Sequence, residues 1–196
     1  MSTSVLIEDL RGARDYEFRP ATPQDVDGAR SVMLDTVYRE FGYGYLPRFH
    51  SDIIDPVSYY LTPEDNALFV AVRDGQIAAT AAVRETTPTS PPHPEAVADR
   101  FEPGRTATLN RVYVRPEHRR RGLATALLGS CLEFIASRER YTGVYLHTDA
   151  RTPGAMEFWQ RHGEVIFDER TTVNEQRTEP LDEPFETVHF AVPVPR

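Results

Sequence analysis

The 196-residue chain predicts a single α/β domain, and three observations carry that reading. First, Thr106–Arg140 reads as a strand, an arginine-dense loop ending at Gly122, and a long amphipathic helix. Second, two apolar runs meet at Asp74-Gly75, a strong short-range hairpin signal. Third, strands and helices succeed one another along the whole chain as strand, two helices, three strands, helix, strand, helix, two strands, with no internal repeat.

In order, residues 1–15 form an N-terminal arm with a short strand at Val5–Ile7, and Tyr16–Pro20 is the first core strand. Thr22 is placed as an N-cap with Pro23 at the first helical position, ahead of Val26, Ala29, Met33 and Val37 in a helix running to about Phe41. A second helical piece covers Phe49–Leu61, interrupted at Pro56. Ala67–Arg73 and Gln76–Glu85 form the antiparallel pair. The segment 86–104 holds five prolines and is longer than most loops of a compact domain, so it is either a loose excursion or a flap on the substrate side. In Thr106–Val114, Leu109, Arg111 and Tyr113 alternate with Asn110, Val112 and Val114. The helix that follows repeats Leu123, Leu127, Leu128, Cys131 and Ile135 as one apolar stripe. Strand Gly143–Thr148, helix Ala155–His162 closed by Gly163, and strands Val165–Thr172 and Thr187–Val194 complete the chain, the last two flanking an acidic linker around Glu175–Pro184.

Composition narrows the function classes. A net charge of -8 opposes nucleic-acid binding, which needs a broad basic surface, and leaves the run Arg119–Arg121 better suited to a small polyphosphate. The same acidity suits an amine substrate. No run approaches a membrane span and the N-terminus has no signal-peptide pattern, so no membrane partner and a cytoplasmic location are expected. Cys131 is the single cysteine, lies on the apolar helix stripe and reads as a small buried hydrophobe in a reducing compartment. No metal is expected, and the oligomeric state is left open, a homodimer included.

The loop Arg119, Arg120, Arg121, Gly122, Leu123, Ala124 follows the pattern Arg or Gln, two residues, Gly, one residue, Gly or Ala, directly after a strand and opening a helix. This resembles the pyrophosphate signature of the GNAT-type N-acetyltransferases, and the likeness in element order spans about residues 16–194, within a domain taken as 16–196. The resemblance implies a single-domain GNAT fold, with a mixed, mainly antiparallel twisted sheet of six to seven strands and helices on both faces. It implies acetyl-CoA as cosubstrate, with pantetheine along the backbone of Val112, Tyr113 and Val114 on a fourth strand splayed from the fifth. The pyrophosphate is then cradled by Arg119, Arg120, Arg121, Gly122, Leu123, Ala124 and Thr125. Physically, N–H groups at a helix N-terminus favour an anion, and arginines add charge-assisted bonds. A backbone N–H near Val112 would polarise the thioester oxygen.

The implied reaction is acetyl transfer to an amine, most simply on a small molecule, by direct attack in a ternary complex. Two positions depart from the family pattern. Its fourth-strand glutamate falls at Thr108, and its helical tyrosine at Trp159, neither of which titrates usefully. Substitute bases are Glu85 at the end of the third strand, Asp149 at the end of the fifth, and His147 on the fifth. Each has a plainer reading: a solvated strand-end charge for Glu85, a helix cap for Asp149, a packed strand residue for His147. His93 and His189 are candidate substrate contacts, His118 a solvated loop residue, and Tyr113 a thiolate acid only if it turns to the cleft. The competing function is a GNAT-fold protein that binds acyl-CoA without turnover and acts as a sensor or interaction module.

Overall fold

The computed structural model describes residues 11–42, 44–171 and 186–194. Seven strands form one mixed sheet: β1 (Glu17–Pro20), β2 (Ala67–Arg73), β3 (Gln76–Glu85), β4 (Thr106–Val114), β5 (Gly143–Asp149), β6 (Glu164–Asp168) and β7 (Thr187–Val192). Their order across the sheet is β1-β2-β3-β4-β5-β7-β6. The principal helices are α1 (Val26–Arg39), α2 (Pro47–Ile54), α3 (Leu123–Ala136) and α4 (Ala155–His162). The packing has two compact units, one taking in the chain up to Glu85 with Leu109–Glu139, the other Thr86–Thr108 with Arg140–Val194.

In the first unit, β1, β2 and β3 pair antiparallel in sequence order. The β2–β3 turn is built as its sequence predicts: Asp74 (φ 51°) and Gly75 (φ 73°) are both left-handed, the backbone of the hairpin turns whose twist matches the strands. Alternation along β2 sends Leu68 and Val70 into a cluster with Val32, Met33 and Val37 of α1 and Ile53 of α2. Phe69, between them, meets Phe134 of α3 edge-on at 6.1 Å. Helices therefore cover both faces of β2, which is why it is apolar at consecutive positions rather than every second one. The α3 stripe read from sequence, Leu123, Leu127, Leu128, Cys131 and Ile135, is the buried set of that helix. Burial pushes the Cys131 thiol far up and leaves it inert.

Helix α1 is entered through a 3-10 turn, Pro23–Asp25. Asp25 accepts from the Thr22 backbone N–H and hydroxyl, each at 2.7 Å, and takes a bidentate bond from Arg19 at 2.6 and 3.0 Å. The expected helix over Phe49–Leu61 is two pieces: α2 ends at Ile54, and Pro56 begins a π turn, Val57–Leu61. The residue before a proline is pushed out of helical backbone, which sets the break.

The second unit holds the three-residue parallel ladder Thr106–Thr108 with Gly143–Tyr145 and the antiparallel ladders β5–β7 and β6–β7. The proline segment is no loose excursion. It carries a helical turn, Glu95–Ala98, whose Val97 is buried, and it sets Phe101 against Tyr145 at 5.3 Å. Gly163 closes α4 for a reason other than a left-handed cap: its backbone is extended, and an added Cβ would stand 2.7 Å from the Ala191 carbonyl. Strand β6 stops at Asp168 rather than Thr172, because Asp168 turns the chain by bonding the Arg170 N–H and guanidinium. The strand expected at Val5–Ile7 and the linker around Glu175–Pro184 lie outside the described residues. No helix among the described residues is long and apolar enough to cross a membrane.

Candidate functional site

The end of β4 and the start of α3, both in the first unit, are fixed from several sides. Arg115 donates its N–H to the Ala78 carbonyl at 2.9 Å, its Nε to the Ile77 carbonyl at 3.1 Å, and its guanidinium to Ser31 and Asp35 of α1. Beyond it, Pro116–His118 makes a 3-10 turn, and His118 is held by the Tyr16 hydroxyl at 2.7 Å rather than left to solvent. Arg120 (φ 61°) and Gly122 (φ 80°) are left-handed, which turns successive backbone N–H groups inward as in an anion-binding concavity. The first helical bond of α3 runs from Ala126 N–H to the Gly122 carbonyl at 3.0 Å. The N–H groups of Leu123, Ala124 and Thr125 therefore precede the ladder and open at the helix N-terminus. Gly12 closes the other side, since a Cβ there would lie 2.9 Å from the Arg121 Cα.

The three arginines are not equivalent. Arg119 donates to the Val114 carbonyl at 3.1 Å and pairs with Glu40, the C-cap of α1, so its guanidinium braces the loop. Arg120 is exposed and Arg121 half-buried, and these two carry the available charge.

The strand itself departs from the alternation read in sequence. Arg111 has φ 53°, and a left-handed residue inside a strand bends it and resets the faces beyond. Its guanidinium bonds both oxygens of Asp52 at 2.8 and 2.7 Å and the Phe49 carbonyl at 2.6 Å, while Asp52 also accepts from the buried Tyr60 hydroxyl. Burial works against both charges, but the pairing outweighs it, holding the Asp52 carboxyl below its ordinary range and the Arg111 guanidinium above its own. Burial and Arg111 together push the nearby His50 imidazole down to about 4. Tyr113 turns into the α1 core, edge-on to Phe41 at 5.9 Å with its hydroxyl 3.3 Å from Arg111. Val112 and Val114 are half-buried on the same run.

Asp25 and Asp52 make a pH prediction. Arg19 holds the Asp25 carboxyl well below the usual carboxylate range, as the paired Arg111 does for Asp52. Both folded values lie under the unfolded value of about 3.9. The stability they contribute is therefore complete above about pH 4 and is lost as pH falls through the folded values. The thermal midpoint is expected to drop on acidification below about pH 4, and Asp25→Asn to flatten that drop.

Of the candidate bases, Glu85 ends β3 with its backbone N–H on Asn66 at 2.7 Å. In the second unit, Asp149 is gripped by its own neighbour: Arg151 donates its N–H at 3.0 Å and its guanidinium at 2.7 Å. The α4 N-cap is Gly154, so Asp149 does not cap that helix. His147 is exposed on β5. His189, a candidate substrate contact, is fully buried. The position read as a vacated glutamate, Thr108, is buried with its hydroxyl on the Thr86 carbonyl at 2.6 Å. Trp159 is core, with Phe158 edge-on at 4.8 Å. Among the described residues no cluster of His, Cys, Asp or Glu has metal-binding geometry.

A sequence profile described as the acetyltransferase (GNAT) family matches residues 32–163. The chain belongs to the GNAT acetyltransferase family. The structure resembles many solved GNAT proteins at low identity. An acetyltransferase from Streptococcus agalactiae is 14% identical with a TM-score of 0.63, the match covering 91% of this chain and 98% of that one. The ribosomal-protein-S18-alanine N-acetyltransferase of Escherichia coli is 16% identical with a TM-score of 0.59, covering 91% and 94%. The PaiA N-acetyltransferase of Thermoplasma acidophilum, solved with coenzyme A, is 12% identical with a TM-score of 0.57, covering 90% and 98%. No curated protein sequence matches this GNAT chain.

Proposed function

We propose that this GNAT protein transfers acetyl from acetyl-CoA to a primary amine of a small molecule, by direct attack within a ternary complex. The observation that carries the reading is the loop at the start of α3, with left-handed backbone at Arg120 and Gly122 ahead of open helix N–H groups. Residues Arg119, Arg120, Arg121, Gly122, Leu123, Ala124 and Thr125 cradle the pyrophosphate through backbone N–H groups. Arg120 and Arg121 add charge-assisted bonds. Val112, Tyr113 and Val114 present the backbone to the pantetheine amides, in the manner of strand addition. The β4–β5 ladder supports this, because its register ends at Thr108 with Tyr145, before those three residues.

The chemistry asks the protein for three things: to hold the thioester and amine together, to polarise the carbonyl oxygen, and to accept a proton from nitrogen. A net charge of -8 attracts a cationic amine.

The test is a two-part assay. Calorimetry with acetyl-CoA reads binding, and a thiol reagent reads free CoA released with a panel of short alkylamines, polyamines and peptide N-termini. Binding with CoA release on an alkylamine or polyamine is the expected result. Release on peptides alone would replace the small-molecule acceptor with a protein one. Binding with no release above background would overturn transfer in favour of an acyl-CoA sensor.

A further inference from the structure

Arg84 stands near the end of β3, on the face turned to α1 and α2, because residues two apart on a strand share a face and Ala82 belongs to the cluster there. It is half-buried, and its Cζ lies 5.0 Å from the centre of the Tyr59 ring. The ring compensates part of the charge but supplies no oxygen for the N–H groups. Among the described residues Arg84 makes no hydrogen bond and no ion pair, and its Nε is buried without an acceptor. Arg30 is a useful contrast. Its Nε is buried and unmatched too, yet its terminal nitrogens reach Asp27 at 2.6 Å and the Ile54 carbonyl at 3.0 Å.

The surroundings hold this guanidinium in place without answering it. The Tyr59 hydroxyl shares a hydrogen bond with Ser51 at 2.9 Å, and the Tyr59 carbonyl accepts from Asn66 Nδ2 at 2.7 Å. Asn66 Oδ1 in turn accepts the Glu85 N–H at 2.7 Å, so one side chain links the turn that carries Tyr59 to the strand end that carries Arg84. Asp52 is close enough to feel the Arg84 charge. Its oxygens are already engaged by Arg111 and Tyr60, and Arg111 balances its charge. One positive charge is therefore left over, on five donors partly withdrawn from water. Withdrawing a charged donor without a partner costs free energy, and an anion bound at this point offsets that cost.

We propose that Arg84 binds a carboxylate of the acceptor, which makes the acceptor an amino acid or a similar small molecule carrying both an amine and a carboxylate. This rests on the acetyl-transfer reading. The subsite and that reading meet within the first unit: Arg84 acts on Asp52, Asp52 grips Arg111, and Arg111 directly precedes Val112. A carboxylate suits the position better than a phosphate. One spare charge matches a monoanion, and the flat edge of a guanidinium matches two coplanar oxygens. An acceptor bearing both groups is neutral overall, so a protein of net charge -8 does not repel it.

The test compares the common amino acids with their primary amides and, for the best of them, with the matching aminophosphonate. The wild type is expected to favour amino acid over amide roughly 10- to 100-fold in kcat/KM, carried by KM. In Arg84→Gln that ratio is expected to fall to about one, while an unchanged acetyl-CoA affinity by calorimetry shows that the fold is intact. Arg84→Lys, which keeps the charge and loses the fork, should retain part of the preference. Equal use of amino acid and amide by the wild type, a preference that survives Arg84→Gln, or a stronger preference for the phosphonate would overturn the carboxylate subsite and leave acetyl transfer standing. No CoA release with any amine would sink acetyl transfer alone. The subsite is then read by calorimetry of the N-acetyl amino acids on the CoA-loaded protein: binding that Arg84→Gln abolishes upholds it, and no binding by the wild type overturns it.

Discussion

Gly122→Glu is expected to abolish acetyl-CoA binding. Gly122 has φ 80° and ψ 6°, and it is the residue whose carbonyl receives the first bond of α3. A side chain in left-handed backbone costs about 1–2 kcal/mol. Charge repulsion weighs more: a carboxylate about 4 Å from a phosphate oxygen meets roughly 4 kcal/mol of repulsion at a surface-like dielectric of about 20. The affinity loss is then on the order of 10³-fold, read by calorimetry. Gly122→Asn, which tolerates left-handed backbone and brings no charge, is the control and should keep most of the affinity. Equal binding by Gly122→Glu and the wild type would remove the cradle from this loop.

The second large effect is on stability. In Asp52→Ala the Arg111 guanidinium and the Tyr60 hydroxyl lose the carboxylate that now answers both. Removing one partner of a buried ion pair costs about 3–5 kcal/mol, because the other charge is left without compensation. Urea unfolding should show a loss of that size. The pair Asp52→Leu with Arg111→Met should recover much of it, since two apolar side chains of similar volume remove both charges together. The same change bears on β4: with its side-chain anchor gone, Arg111 has less to hold its φ of 53°, a backbone state that costs energy unless its surroundings impose it. A loss below about 1 kcal/mol, ordinary for an exposed pair, would show that the anchor is not what holds the strand.

How much of this was legible depended on whether the deciding interaction was local. The Asp74-Gly75 turn was legible because left-handed backbone favours those two residues in tandem. So was the α3 stripe, whose three- and four-residue spacing states which face is buried. The start of α3 after Gly122 was legible for the same reason: its order of arginines, glycine and apolar stripe is a local pattern.

What escaped the sequence was imposed from far along the chain. The left-handed turn of Arg111 answers to Asp52, 59 residues away, and no rule of alternation contains it. The sequence left the proline segment open between a loose excursion and a flap because its partners, Tyr145 and His147, lie about fifty residues further on. The ion pair of Arg119 with Glu40 likewise joins residues far apart in the chain. The imidazole cluster was named one histidine at a time, His93, His147 and His189. Only the register of β5 against β7 and the packing of the proline segment show that they share one tyrosine.

Gly12 has no charge to offer a coenzyme and no side chain to donate a bond. It nevertheless stands where even a methyl group would press on Arg121, so the shape of the Arg119–Gly122 loop is partly dictated by backbone more than a hundred residues upstream. The form of this loop is thus shared between a motif and a distant hydrogen atom. A search for affinity-altering substitutions confined to the loop would pass over one of the residues that set its form.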